Sequence, residues 1–160
     1  MLGAKKVEIK EKLSNARKDL LQWARKLDEG DWTEPVYVHD EEWTAQDVLR
    51  HLTWAEGGMI RLIQQIREGQ EGVPPDFDLD RYNAGGVCKL MDKMPADLMA
   101  MMADNRERLL QILDDLSEEE IGLTGRHGSL RIMSIEEVLH RIADHEIEHL
   151  ADLKQVAGGM

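Results

Sequence analysis

The chain has 160 residues, of which 32 are acidic and 20 are basic, so its formal net charge is −12 at neutral pH. A chain of this length fits one domain with a substantial core, and we predict a single domain over residues 1–160. The excess of negative charge, together with the lack of a dense Lys/Arg stripe, excludes nucleic acid and anionic membranes as expected partners.

The cysteine count and the N-terminus indicate a cytoplasmic protein. Cys88 is the single cysteine, so no internal disulfide forms, which is typical of a reducing compartment. A lone cysteine of this kind, with no motif that places a base beside it, is more typical of a small core residue than of a nucleophile. The N-terminal residues lack the apolar core of a signal peptide, and no later segment has the length of a membrane span.

The first predicted helix covers residues 7–27, and Gly30 is expected to stop it. A second helix is predicted to begin at Thr44, with Asp47 completing a capping box. Trp43 and Val48 are placed to form a hydrophobic staple around that cap. Each helix carries one apolar stripe at helical spacing, formed by Leu13, Ala16, Leu20, Ala24 and Leu27 in the first and by Val48, Leu52, Ala55, Met59, Leu62 and Ile66 in the second.

Residues 69–94 are predicted to form a long connection. The Pro74-Pro75 pair and the acidic residues after it indicate extended chain, and residues 81–91 are compatible with a short helix interrupted by Gly85-Gly86. A third long helix then begins at Pro95 and ends near residue 116. Its methionines are expected to pack in the core.

A fourth helix repeats the start of the second, with Ser134 as the cap and Glu137 completing the capping box, and it is expected to reach about Val156. We find no segment with the alternation of a strand. The predicted fold is therefore all-α, a four-helix bundle with a long crossover between the second and third long helices.

Three histidines are the candidate metal ligands. His145 and His149 lie one turn apart on the apolar seam of the fourth helix, so both rings can approach one ion, and His51 lies beside the seam of the second helix. Imidazoles at core positions need either hydrogen-bond partners or a shared ion, whereas a slight rotation of the helix would leave them in water, and the sequence leaves these possibilities open. The depths of the three residues agree if these two helices run antiparallel, which makes the second and third long helices parallel.

Three histidine ligands suit zinc or nickel, and also iron, cobalt or manganese, and they leave a coordination position for water or substrate. Glu148, Asp152 and Asp144 are candidates to orient the imidazoles or to transfer protons, although a solvated acidic face explains Asp144 equally well. Trp43 and Trp54 can form an aromatic wall near the ion or simply pack. The crossover residues Tyr82 and Asn83 can reach the mouth of a pocket, and the remaining histidines, at positions 39, 127 and 140, are expected in loops or on exposed faces.

The sequence resembles the DinB-like superfamily of damage-inducible-type bundles, which includes bacterial thiol-dependent S-transferases and the N-terminal domain of mycothiol-dependent maleylpyruvate isomerase. The resemblance rests on residues 43–52, on the segment around Asp80 and Asn83, and on residues 145–149, and it spans nearly the whole chain. It implies the same metal triad, the crossover and a homodimer.

Two classes of function remain open from the sequence. The first is a metal-dependent enzyme, of the S-transferase or hydrolase type, in which the ion activates a low-molecular-weight thiol or water against a small electrophile. The second is a non-catalytic metal-binding or ligand-binding bundle of a stress response. An ion fully enclosed by protein ligands would indicate the second class, whereas an ion facing a cavity would indicate the first.

Overall fold

Four long helices form a bundle in the computed structural model, which describes residues 1–38 and 41–156. The long helices are α1 (Leu2–Ala24), α3 (Ala45–Arg67), α5 (Pro95–Asp115) and α6 (Ile135–Leu153). Two shorter helices, α2 (Glu29–Trp32) and α4 (Leu79–Lys89), lie in the connections. The predicted four-helix bundle is therefore confirmed. Among the described helices, none combines the length and the apolar character that crossing a membrane requires.

The starts of α3 and α6 lie at the predicted caps. Thr44 accepts a hydrogen bond from the backbone amide of Asp47, and the Asp47 carboxylate accepts one from the Thr44 amide, both at 3.2 Å. Ser134 and Glu137 make the same reciprocal pair at 3.1 and 3.2 Å. These bonds satisfy backbone donors that the first turn of a helix leaves without partners.

The first helix differs from the prediction at both ends. It begins at Leu2, because no proline interrupts the residues before Val7 and the helix continues through Gly3, and it ends at Ala24. Gly30 does not stop this helix but lies inside α2. The reason is Asp28, whose carboxylate accepts a hydrogen bond from the Asp31 amide at 2.9 Å and so starts a new helical turn.

The expectation that the chain contains no strand is wrong, because two short antiparallel hairpins are present. In the first, β1 (Pro35–Val38) pairs with β2 (Glu41–Thr44), and in the second, β3 (Thr124–Arg126) pairs with β4 (Ile132–Ser134). Strands of three or four residues are too short to display an alternating pattern. The last residue of each hairpin is the cap of α3 or α6, so the hairpins determine where those helices begin.

The apolar core consists of two clusters, and their composition gives the directions of the helices. One cluster holds the N-terminal halves of α1 and α6 and the C-terminal halves of α3 and α5, whereas the other holds the opposite halves. The helices α3 and α5 are therefore parallel to each other and antiparallel to α1 and α6. This arrangement confirms the predicted crossover over residues 69–94. Within it, α4 continues through Gly85 and Gly86, where an interruption was expected.

Four charged residues occupy the layer between the two apolar clusters, one from each long helix. Arg106 donates to Glu56 at 3.0 Å and to Glu146 at 3.1 Å, and Arg17 donates to Glu146 at 3.0 Å and to Glu56 at 3.2 Å. Glu56, Arg106 and Glu146 are buried. We refer to this set as the charge quartet: Arg17, Glu56, Arg106 and Glu146.

The charge quartet is electrically neutral and its members also bind the backbone. Arg17 donates to the Met102 carbonyl at 3.0 Å, and Arg106 donates to the Leu13 carbonyl at 2.8 Å. Burial by itself opposes the charge of Arg17, but Glu146 and then Glu56 outweigh it, so the pKa of Arg17 is above its ordinary value. The two glutamates therefore stabilise the charged form of Arg17 inside the bundle.

The order of elements repeats along the chain. A long helix, a short helical turn, a hairpin and a second long helix follow one another from α1 to α3, and again from α5 through the turn Glu120–Gly122 to α6. Glu56 is twelve residues after the cap Thr44, and Glu146 is twelve residues after the cap Ser134. Each of these two helix–hairpin–helix units thus contributes one arginine and one glutamate to the charge quartet.

Removing one charge from the quartet is expected to destabilise the fold. In Glu56→Gln the two arginines face a single carboxylate, and breaking a buried pair in this way lowers the free energy of unfolding by about 3–5 kcal/mol. Urea denaturation followed by circular dichroism measures the change. Glu107→Gln, on the exposed face of α5, is the matched control and should change stability by less than about 0.5 kcal/mol. Equal effects of the two substitutions would contradict a structural role of the quartet.

Candidate metal centre

The three predicted histidines meet at one point in the structure. The Nε2 atom of His145 lies 3.0 Å from the Nε2 atom of His51 and 3.0 Å from that of His149. One ring nitrogen from each of the three residues lies within 4.8 Å of the other two. Two nitrogens that bind one tetrahedral zinc ion at about 2.1 Å are about 3.4 Å apart, so the observed spacing is close to that of a metal site.

The helix starts and the antiparallel packing produce this convergence. His51 is seven residues after the cap of α3, and the histidine pair lies in the C-terminal half of α6, so the antiparallel helices place the three rings at one level. Trp43, at the end of the first hairpin, packs on His51 with the ring centroids 5.1 Å apart. His51 and His149 are buried, and His145 is half-buried.

Asp152 lies beside the ring of His149. Its Oδ2 atom is 3.1 Å from the His149 Nδ1 atom, one turn further along α6. A carboxylate in this position favours the imidazole tautomer that carries its proton on Nδ1, which leaves the lone pair of Nε2 directed at the other two histidines. This is the arrangement expected of a carboxylate that orients a metal ligand. The orienting role itself stays a prediction.

The other two candidate carboxylates bind cations of the protein. Arg141 donates to both oxygens of Glu148, at 3.0 and 2.9 Å, and this hydrogen bonding lowers the pKa of Glu148. Asp144 forms an ion pair with Lys12 of α1 at 2.8 Å, which agrees with an acidic residue on the outside of the bundle. Glu148 borders a cavity next to the histidines, so a part in proton transfer stays a prediction for it.

The environment of His145 favours a neutral ring. The pKa of His145 is well below its ordinary value, first because the ring is largely removed from water and then because His149, His51 and Arg141 lie nearby. Neutral imidazole is the form that binds metal ions. The set of three imidazoles is therefore consistent with a divalent metal ion.

Two adjoining cavities open at the histidines. The first, which we call the apolar cavity, has a volume of about 260 Å³, and the second, which we call the polar cavity, has a volume of about 570 Å³. His149 and Asp152 border only the polar cavity, with Trp43 and Asp80. The walls shared by both cavities are formed by His51, Leu79, Asn83, Arg141 and His145.

The residues around the cavities lie only in part where the sequence predicts them. Asn83 reaches both cavities and Tyr82 reaches the apolar cavity, as predicted for the mouth of a pocket. Trp54 borders neither of them; it packs on Tyr82 with the ring centroids 5.3 Å apart. Cys88 was expected in the core but is exposed on α4.

Neither His127 nor His140 belongs to the histidine cluster. His127 is in a loop beside the apolar cavity, where burial and then Arg141 lower its pKa. His140 lies on α6 with its Nδ1 atom 3.3 Å from the Lys12 ammonium. The expectation for His39 falls outside the described residues.

Sequence reasoning missed Arg141, which lines both cavities. A signal for it existed: Arg141 follows Ser134 by seven residues, just as His51 follows Thr44 by seven residues. The repeat of the two helix–hairpin–helix units therefore places Arg141 at the position that corresponds to a histidine of the cluster.

Comparison with known proteins supports this description of the fold. A family model described as the DinB superfamily matches residues 12–153. A search of curated proteins finds no match to the chain. Among solved structures, YfiT from Bacillus subtilis, described as a probable metal-dependent hydrolase with an unusual four-helix bundle topology, has a TM-score of 0.78 at 18% identity, over 95% of this chain and 85% of that one.

Two further solved structures have the same fold. A mycothiol-dependent maleylpyruvate isomerase matches with a TM-score of 0.70 at 18% identity, over 91% of this chain and 60% of the isomerase. The chain thus spans about three fifths of that enzyme. Another four-helix bundle protein matches with a TM-score of 0.68 at 20% identity, over 94% of this chain and 98% of that one.

The wall that α4 contributes to both cavities depends on a glycine. A Cβ atom at Gly86 would lie 2.1 Å from the Cδ1 atom of Trp54 in α3, whereas a Cβ atom at Gly85 would have nothing within 4 Å. Gly86→Ala is therefore expected to lower the free energy of unfolding by about 1–3 kcal/mol through overpacking. Gly85→Ala in the same helix should raise it by up to about 1 kcal/mol through helix propensity. Thermal and urea denaturation measure both changes in the free energy of unfolding. Changes of the same sign in the two variants would contradict close packing of α4 on α3.

Proposed function

Since the chain belongs to the DinB superfamily, we propose that it is a divalent-metal-dependent enzyme that activates a low-molecular-weight thiol or water against a small electrophile. The observation that carries this proposal is the convergence of the His51, His145 and His149 Nε2 atoms beside two cavities. The names of two structural matches, a probable metal-dependent hydrolase and a mycothiol-dependent isomerase, support hydrolysis and thiol chemistry respectively.

The number of protein donors supports a catalytic site over a structural one. Structural zinc sites commonly use four protein ligands, whereas catalytic sites use three and leave a position for water or substrate. Among the residues that the structure describes, three imidazoles come together, and two cavities adjoin them. A small molecule in either cavity therefore has access to the cluster, which a purely structural ion would not need.

A divalent ion held by the three imidazoles would supply Lewis-acid activation, which favours the deprotonated form of a thiol or water at neutral pH. The protein residues have separate tasks around it. Asp152 holds the proton of His149 on Nδ1, and Trp43 packs on His51 and keeps water from that side of its ring. Glu148, at the edge of the polar cavity, accepts a proton from an incoming nucleophile while Arg141 keeps it ionised.

Metal analysis tests the ligand set directly. We expect the wild-type chain to bind about one equivalent of Zn²⁺ or Ni²⁺, and we expect His51→Ala, His145→Ala and His149→Ala each to lose most of it. His140→Ala is the control, because it removes an imidazole from the same helix as the pair. Inductively coupled plasma mass spectrometry after desalting gives the metal content. Full metal content in His149→Ala would count against the triad.

The proposed role of Asp152 has its own readout. Asp152→Asn removes the carboxylate beside His149 and should weaken metal affinity about 10–100-fold without abolishing binding. Competition with a chromogenic chelator measures the affinity. Asp144→Asn, which alters the carboxylate paired with Lys12, is the control on the same helix and should leave the affinity unchanged.

An activity screen of the metal-loaded chain tests catalysis. Cysteine and larger thiols are offered with chlorodinitrobenzene, for which the thiolate sulfur forms a bond to carbon as chloride leaves, and nitrophenyl acetate reports hydrolysis. We expect turnover that needs the metal and that His149→Ala abolishes. If the ion is fully enclosed by protein ligands and no turnover occurs over a broad panel of thiols, the result favours a non-catalytic metal-binding or ligand-binding bundle of a stress response.

A homodimer and a cytoplasmic location are also part of the proposal. The homodimer is implied by the resemblance to the family, and the cytoplasmic location is inferred from the composition of the chain. Neither rests on a contact in the structure. Analytical ultracentrifugation of the metal-free and metal-loaded chain measures the state of association.

A further inference from the structure

The apolar cavity carries positive charge in a chain whose formal net charge is −12. Arg61 and Arg141 line it, and no aspartate or glutamate is among its lining residues in the described part of the chain. The polar cavity is different, because Asp80, Glu148 and Asp152 line it. The two cavities that meet at the histidines therefore differ in charge as well as in polarity.

The charge of the apolar cavity comes mainly from Arg61. Arg141 is held by Glu148 through two hydrogen bonds, so its charge is compensated. Among the described residues, no carboxylate forms an ion pair with Arg61; its Nη2 atom donates to the Tyr82 hydroxyl at 3.0 Å. A hydroxyl group is neutral, so the positive charge of Arg61 remains available to a ligand.

The position of Arg61 is built into the contact between α3 and α4. A Cβ atom at residue 58 would lie 2.5 Å from the Tyr82 hydroxyl oxygen, so the glycine at this position allows the hydroxyl to approach α3. The Tyr82 ring is held between Trp54 and Phe77, with ring centroids 5.3 Å from each. The tyrosine is therefore a fixed acceptor that keeps the exposed guanidinium of Arg61 at the cavity.

One part of the apolar cavity suits a hydrocarbon body, although Gln65, Asn83 and His127 also line the cavity. Met59, Leu62, Val73 and Phe77 line it, and His51 and His145 border it as well. An apolar ligand gains free energy from burial against such a wall. A carboxylate is planar and binds the fork of a guanidinium through two parallel hydrogen bonds, which makes it the anion that best matches Arg61.

We propose that the apolar cavity binds a small apolar carboxylate, whose anionic group pairs with Arg61 and whose hydrocarbon part lies beside the histidine cluster. The inference that this carboxylate is the substrate rests on the proposed function. The binding itself requires no metal ion, because Arg61 and the apolar wall belong to the chain.

Three six-carbon probes that differ only in their head group test the proposal. Hexanoate, hexanol and hexylamine are titrated into the full chain by calorimetry, at neutral pH and low salt, with a chelator present so that carboxylate cannot bind a metal ion. We expect hexanoate to bind about tenfold more tightly than hexanol, and hexylamine to bind more weakly than both. Added salt should reduce the preference for hexanoate.

Variants identify the arginine that is responsible. Arg61→Gln should remove the preference for hexanoate over hexanol, and Arg61→Lys, which keeps the charge, should retain part of it. Arg108→Gln removes an arginine from α5 that lines neither cavity, and it should bind like the wild type. Circular dichroism of each variant checks the fold, and Arg61→Lys keeps the test valid if the glutamine variant unfolds.

The outcomes separate this inference from the proposed function. Equal affinities for hexanoate and hexanol, no binding of either, or an unchanged preference in Arg61→Gln would each overturn the inference. A chain that prefers hexanoate through Arg61 but takes up no metal would keep the carboxylate site and reject the metal-dependent enzyme. A chain that binds metal through the triad but shows no preference for hexanoate would keep the proposed metal site and reject the carboxylate site.

Discussion

The register of the whole bundle depends on the charge quartet. Each arginine of the quartet reaches a glutamate on two different helices, so a shift of one helix by a turn, about 5.4 Å, would leave buried charges without partners. Glu146 directly follows His145 in α6, and Glu56 follows His51 by five residues in α3. The interaction that aligns the helices therefore also sets the heights at which the three imidazoles meet.

The features that the sequence predicted are those with a local signature. Capping boxes at Thr44 and Ser134 fixed the starts of two helices, and apolar seams indicated their buried faces. The histidine cluster was predictable because its pair lies on such a seam and because His51 lies at a matching depth. Once helix starts are known, the rise per residue converts positions in the sequence into positions along the bundle.

The features that the sequence did not predict depend on contacts between distant segments. Glu56 and Glu146 look like residues of a solvated face until the other helices bring their arginines, and the hairpins are too short to show a pattern. Gly86 was expected to break α4, but its missing side chain instead accommodates Trp54. The charge of the apolar cavity depends on Arg61, whose role follows only from the packing of Tyr82 on α3.

The repeated units give the two halves of the chain matching positions, and the residues at the site differ between them. The counterparts of His51, His145 and His149, counted from the two caps, are residues 141, 55 and 59, and these are arginine, alanine and methionine. All three of those residues line the apolar cavity. The two halves of the chain therefore present different side chains at matching positions, with a histidine cluster in one place and an apolar, arginine-bearing cavity wall beside it.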